Sequence, residues 1–141
     1  MTSAQLLLLP AFVHAGLVFS LVTRIGLGRL RAARGGEVRI KDIALDSSKW
    51  PENLRKLGNN YENQFELPVL YYAALALLLA TGLVDTVAIV LSWAFVATRL
   101  IHSFIHTGGN VVIRRFQIFV AGVACLALMW VWFAIRLFAI G

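Results

Sequence analysis

Charged residues are scarce in this chain, and their scarcity argues against a soluble fold. Only 14% of its 141 residues are Asp, Glu, Lys or Arg, whereas about a quarter are charged in an average soluble domain. Hydrophobic residues make up 60% of the chain. This balance is typical of a membrane protein.

Cysteine is almost absent as well. The single Cys125 lies inside an apolar run, which excludes a disulfide framework and a cysteine-based metal site. We expect no metal cofactor.

Acidic residues are few, and the formal net charge is therefore +6. A basic chain can indicate nucleic-acid binding, which requires a basic patch on a polar surface. Here the Lys and Arg residues flank long apolar runs instead, as they do in the cytoplasmic loops of membrane proteins. The sequence predicts the lipid bilayer, and not nucleic acid, as the partner.

Four apolar runs are long enough to cross a membrane, since a hydrocarbon core of about 30 Å needs about 20 helical residues. They cover about 6–22, 67–84, 87–105 and 116–135. We predict one domain over 1–141, an all-α integral membrane four-helix bundle. Its helices are expected at about 5–27, 61–83, 86–106 and 114–138, with a cytoplasmic loop at about 28–60.

The basic residues predict the orientation of these helices. Eight of the thirteen lie in the first connection: Arg29, Arg31, Arg34, Arg39, Lys41, Lys49, Arg55 and Lys56. Positive charge stays on the cytoplasmic side, so loops one and three should face the cytoplasm and both termini the outside. Because no basic residue precedes the first run, we interpret that run as an uncleaved helix and not as a signal peptide.

Polar residues gather at the helix ends that this orientation places together. Asn59, Asn63 and Glu66 are spaced i, i+4 and i+7 and share one helical face. Arg99, His102 and His106 are spaced i, i+3 and i+7 and also share a face. Such a basic region suits an anionic ligand with carboxylates. Alternatively, a Glu66–Arg99 ion pair simply holds the bundle together, because buried charges usually pair.

One ionisable residue, His14, interrupts the first apolar run. We interpret it as an interhelix hydrogen-bonding residue and not as a metal ligand.

Several of these segments resemble the MAPEG family, the membrane-associated proteins in eicosanoid and glutathione metabolism. Asn63–Pro68 resembles the family's N-x-x-E element followed by Pro, and Arg99–His102 with Arg115 resembles its R-x-x-H element and downstream Arg. Thr23–Arg31 is similar to the basic exit from helix one. Glu66–Tyr72 resembles bacterial members, and the order of helices matches along the whole chain.

The resemblance implies a homotrimer with glutathione, as co-substrate, bound between subunits near the cytoplasmic face. The glutathione contacts carried over are Arg29, Asn63, Glu66, Arg99, His102 and Arg115. In the catalytic roles, Arg115 or Arg99 would stabilise the thiolate and His102 or His106 would orient it. The resemblance also implies a bacterial inner-membrane location.

One departure keeps two functions open. Branches of the family that resemble prostaglandin synthase carry a Tyr four residues after the R-x-x-H histidine, where this chain has His106. The first hypothesis is a glutathione-dependent transferase or peroxidase acting on lipophilic substrates. The second is a non-catalytic lipid-binding scaffold or an accessory subunit of a larger membrane complex. A transporter is disfavoured, because the four helices show no internal repeat.

Overall fold

A computed structural model describes residues 1–44 and 46–140, which form a helical bundle without strands in those ranges. The helices are α1 (Ser3–Arg34), α2 (Ile40–Ile43), α3 (Glu52–Glu62), α4 (Leu67–Thr81), α5 (Thr86–Thr107) and α6 (Val112–Ile135). A 3₁₀ turn covers Ser47–Lys49, and a π-helical turn follows at Arg136–Ile140.

Four helical stretches are long and apolar enough to span a membrane. They are Ser3–Arg34, Glu52–Thr81, Thr86–Thr107 and Val112–Ala139. The second stretch joins α3 to α4, and the other three contain α1, α5 and α6. They confirm the predicted all-α membrane bundle, and the chain is an integral multi-pass membrane protein.

The first helix is longer than the sequence predicts, because it continues from the expected end at residue 27 to Arg34. Its 32 residues span about 48 Å at 1.5 Å per residue, which exceeds a hydrocarbon core of about 30 Å. The additional turns are stabilised by packing, since Ile25 and Ala32 join a cluster with Leu54 and Leu57 of α3. We call this end of the molecule the polar end.

The predicted loop at 28–60 is partly helical, and the second predicted helix is interrupted. The chain leaves α3 at Glu62 and enters α4 at Leu67, with turns between them. Pro68 lies in the first turn of α4, where its missing N–H costs no helical hydrogen bond. A proline farther inside a continuous helix would clash with the preceding turn, so the break precedes it. We call residues 63–66 the α3–α4 break.

The opposite end is closed by a tight turn, as the sequence of residues 81–85 predicts. Gly82 ends α4 with φ +69°, a conformation that glycine adopts without steric cost. Asp85 caps α5 by accepting a hydrogen bond from the Ala88 N–H at 2.9 Å. The same carboxylate accepts from Trp132 Nε1 at 2.9 Å and Arg136 Nη1 at 2.7 Å, which ties the turn to the end of the chain.

The central helix of the bundle is α5, which packs against α1, α3 and α6. Its buried face is apolar around Phe95 and Val96 and then becomes polar toward the polar end. The buried polar residues on that part of α5 are Arg99, His102, Ser103 and His106. The fold therefore places a row of polar side chains inside the bundle.

Candidate functional site

A cavity of about 260 Å³ opens at the polar end, where the α3–α4 break meets α5 and α6. We call it the polar cavity. Its lining residues are Asn63, Glu66, His102, Val112, Arg115, Phe116 and Phe119. The start of the second predicted membrane helix, the end of the third and the start of the fourth meet there.

Two opposite charges face this cavity without pairing to each other. Among the described residues, the four ion pairs within the chain involve neither Glu66 nor Arg115. Arg115 instead donates from Nη1 to Oδ1 of Asn110 at 2.9 Å. A separated carboxylate and guanidinium on one wall are complementary to a ligand that carries both an ammonium group and a carboxylate.

His102 brings an imidazole to the same wall. Its side chain is almost completely buried, and Nδ1 has no hydrogen-bond partner among the residues that the structure describes. The ring contacts those of Phe119 and His106, with centroid separations of 6.4 and 5.7 Å. This nitrogen is therefore available as a donor or acceptor toward a bound molecule.

Arg99 is fully buried next to the cavity, and it forms no ion pair with the described residues. Nε, Nη1 and Nη2 all lack hydrogen-bond partners there. The guanidinium carbon lies 5.6 Å from the ring centroids of both Phe95 and Phe119. The Glu66–Arg99 ion pair of the structural alternative is not formed in this chain.

The structure brings together only some of the residues expected to bind glutathione. Asn63, Glu66, His102 and Arg115 line the polar cavity, whereas Arg99 does not line it and lies behind the ring of Phe119. His106 is buried beside His102 but is not part of the cavity wall.

Arg29 lies elsewhere, in a separate cavity of about 490 Å³. Its guanidinium stacks over Trp50, 5.0 Å from the ring centroid. Asn59, expected on one face with Asn63 and Glu66, also lines this second cavity. The α3–α4 break is the reason, because residues on either side of it no longer share one helical face.

Three residues of the site were missed by sequence reasoning. Phe119 separates Arg99 from the cavity. Asn110, which has a left-handed backbone conformation with φ +47°, accepts the hydrogen bond from Arg115. A Cβ on Gly122 would lie 2.9 Å from Nη2 of Arg99, so glycine is needed for the close approach. Only Asn110 has a signal in the sequence, since Asn after Gly108-Gly109 is typical of a turn that needs this conformation.

The structure confirms the interhelix role of His14. Its Nδ1 lies 2.9 Å from the Tyr72 hydroxyl, and its Nε2 lies 3.2 Å from Oε1 of Gln64. Gln64 in turn contacts Asn60. The i, i+4 spacing of these two amides on α3 and its exit was a signal that the sequence reasoning did not use.

The family model of the MAPEG family matches residues 7–135 of the chain. No curated protein and no solved structure gives a significant match. The matched range covers most of each of the four membrane-spanning stretches and includes every residue that lines the polar cavity. The chain therefore belongs to the MAPEG family, as a membrane protein of the family associated with glutathione and eicosanoid metabolism.

Proposed function

We propose that this protein is a membrane-embedded, glutathione-dependent transferase or peroxidase that acts on lipophilic substrates. The observation that supports this most is the separated charge pair, Glu66 and Arg115, on the wall of one cavity. Glutathione carries an ammonium group and two carboxylates and is therefore complementary to that wall. The lipophilic substrate arrives through the bilayer, which surrounds the helices.

In this proposal each polar residue of the wall has one role. Glu66 accepts from the ammonium group, Arg115 donates to a carboxylate, and the Asn63 amide and His102 Nδ1 hydrogen-bond the peptide backbone or the thiol. Bound glutathione supplies a thiolate nucleophile. Positive charge favours a thiolate over the neutral thiol, and Arg115 and the buried Arg99 supply that charge.

We further propose that the protein is a homotrimer and that a neighbouring subunit completes the site. Arg29 is outside the polar cavity of its own chain, although the family resemblance implies a glutathione contact for it. The cavity is open, and the apolar residues at its rim, Val112 and Phe116, are 62% and 63% exposed. A second copy placed over this rim would cover these side chains and bring its own α1 with Arg29 to the site.

A non-catalytic scaffold or accessory subunit is the second candidate. The observation that favours it is the position of His106, which is buried and absent from the cavity wall. The branches that resemble prostaglandin synthase carry a Tyr at the corresponding position, and this chain has no hydroxyl group there. Under this alternative the cavity binds glutathione or a lipid without turnover.

Turnover in lipid nanodiscs separates the two candidates. We expect the purified protein to conjugate glutathione to a lipophilic electrophile or to reduce a fatty-acid hydroperoxide with it. Arg115→Gln should lose most of this activity, whereas Arg114→Gln should retain it because Arg114 is absent from the cavity wall. Binding without either reaction would support the scaffold, and activity that is equal in both variants would contradict the proposed site.

A further inference from the structure

A third cavity, of about 200 Å³, lies between α1 and α4 and shares no residue with the polar cavity. We call it the lateral cavity. Its walls are apolar except at one side: Ala15, Val18, Phe19, Phe65, Pro68 and Val69 surround three polar residues, His14, Gln64 and Tyr72. His14 and Phe19 lie near the middle of the first membrane-spanning stretch, Ser3–Arg34, and we infer from this position that the cavity opens toward hydrocarbon.

The hydrogen bonds behind the cavity have a defined direction. Gln64 Nε2 lies 3.1 Å from the backbone carbonyl oxygen of Asn60, which can only accept, so the amide nitrogen faces Asn60. The Gln64 Oε1 atom therefore faces His14, where it accepts from Nε2 at 3.2 Å. In a neutral imidazole the other nitrogen is then an acceptor, and Tyr72 donates its hydroxyl proton to Nδ1 at 2.9 Å.

The chain of donors continues into the bundle. Gln64 also donates to Oδ1 of Asn60 at 3.1 Å, and Asn60 Nδ2 donates to Oγ of Ser103 at 2.7 Å. Every donor from Tyr72 to Ser103 thus points inward. Aligned hydrogen bonds polarise one another, which increases the negative charge on Oη of Tyr72, the first oxygen in this series of hydrogen bonds.

Tyr72, which carries that oxygen, is the only residue in this series of hydrogen bonds that is more than 4% exposed. His14, Gln64 and Asn60 are at most 1% exposed, whereas Tyr72 is 40% exposed. The other polar atom near the Tyr72 hydroxyl is the Ala11 carbonyl oxygen at 3.5 Å, which is also an acceptor. The lone pairs of Tyr72 Oη consequently receive no donor from the described residues, and the surrounding hydrocarbon supplies none.

From this geometry we propose that the lateral cavity binds a lipid-soluble alcohol. Its hydroxyl group donates a hydrogen bond to Oη of Tyr72, and its hydrocarbon chain lies against Phe19, Phe65 and Val69. A ketone or an alkane of the same length has no donor and leaves the Tyr72 oxygen unsatisfied. The site therefore discriminates by the presence of a donor, and the proposal does not depend on glutathione binding.

The test is photoaffinity labelling of the full-length protein in lipid nanodiscs with a diazirine-bearing long-chain alcohol. We expect saturable labelling within residues 15–19 and 65–72. The unlabelled alcohol should compete about fivefold more effectively than the matched ketone or alkane, since one hydrogen bond contributes about 1 kcal/mol. Tyr72→Phe should remove this preference, because it deletes only the hydroxyl group.

Tyr71→Phe is the matched control, since the Tyr71 hydroxyl bonds Ser92 in the core at 2.9 Å and does not face the lateral cavity. It should leave the preference unchanged. Equal competition by alcohol, ketone and alkane in the wild-type protein would overturn the proposal without any variant. A preference that survives Tyr72→Phe would also overturn it, as would labelling that appears only after the oligomer is dissociated, because a second copy would then cover the cavity.

Discussion

The side chain of Arg99 makes two opposite contributions to stability, a favourable one from cation–π contacts and an unfavourable one from the loss of hydration. Its three guanidinium nitrogens lack partners among the described residues, and two phenyl rings flank it. Each cation–π contact contributes about 0.5–2 kcal/mol, whereas removing an ion from water costs several kcal/mol even after relaxation. We expect this cost to exceed the gain, so that the charge of Arg99 destabilises the fold.

Replacing this charge should therefore stabilise the ligand-free protein. We expect Arg99→Met to increase the free energy of unfolding by about 1–3 kcal/mol, measured by reversible denaturation in detergent. His14→Met is the control, because both of its ring nitrogens are hydrogen-bonded, and it should lower that free energy by about 1–3 kcal/mol. A strong loss of stability in Arg99→Met would mean that Arg99 holds the bundle together.

Gly122 determines how closely α6 approaches Arg99. A Cβ there would lie 2.7 Å from Oγ1 of the half-buried Thr98 and 2.9 Å from Nη2 of the fully buried Arg99, so these side chains would have to shift. We expect Gly122→Ala to destabilise the protein by about 1–3 kcal/mol. Gly16→Ala, which meets no atom within 4 Å, should instead stabilise helix α1 by about 0.5–1 kcal/mol. Equal effects in thermal unfolding would contradict this account.

Among the elements, the α4–α5 turn depends on a single carboxylate. Asp85 caps α5, pairs with Arg136 and accepts from Trp132. We expect Asp85→Ala to cost about 1–3 kcal/mol from the lost cap and ion pair together. Asp85→Asn keeps a side-chain oxygen for the cap and should cost less. If both variants unfold at the wild-type denaturant concentration, the carboxylate does not stabilise this turn.

Helix ends that are determined by the residues at the end itself were predictable from the sequence. Helix ends that are determined by packing against distant residues were not. Gly82 and Asp85 end and begin helices by backbone preference and capping, so the turn between them was predicted. The extension of α1 to Arg34 relies on contacts of Ala32 with Leu54 and Leu57, which are distant in sequence. The α3–α4 break had a local signal in Pro68, but the apolar run around it favoured one continuous helix.

At the scale of the whole molecule, the convergence of Glu66, His102 and Arg115 on one cavity was predictable, because the order of antiparallel helices places their polar ends at the same end of the bundle. The exclusion of Arg99 from the cavity wall was not predictable, since it results from the packing of Arg99 against Phe119 and Gly122. The position of Arg29 over Trp50 depends on packing between segments that are distant in sequence, and such packing was not predictable either.

A homotrimer with sites between subunits predicts complementation. Arg29→Ala and Glu66→Ala chains should each fail to bind glutathione as pure oligomers, because each site lacks one contact. Mixed oligomers from co-expression should regain part of the binding, since some sites combine an intact Glu66 from one chain with an intact Arg29 from its neighbour. Pairing Glu66→Ala with Arg115→Ala is the control, because those residues line one cavity of the same chain; it should restore nothing. Recovery in the control pair alone would contradict the arrangement.

The most direct measurement is a calorimetric titration of glutathione into the purified protein in lipid nanodiscs. We predict saturable binding that Glu66→Gln and Arg115→Gln each weaken by about tenfold or more, since hydrogen bonds to charged groups contribute about 1.5–3 kcal/mol. Glu62→Gln and Arg114→Gln, which change the same residue types away from the polar cavity, should bind as the wild type does. Absence of binding to the wild-type protein, or equal affinity in all five proteins, would contradict the central claim that the polar cavity is a glutathione site.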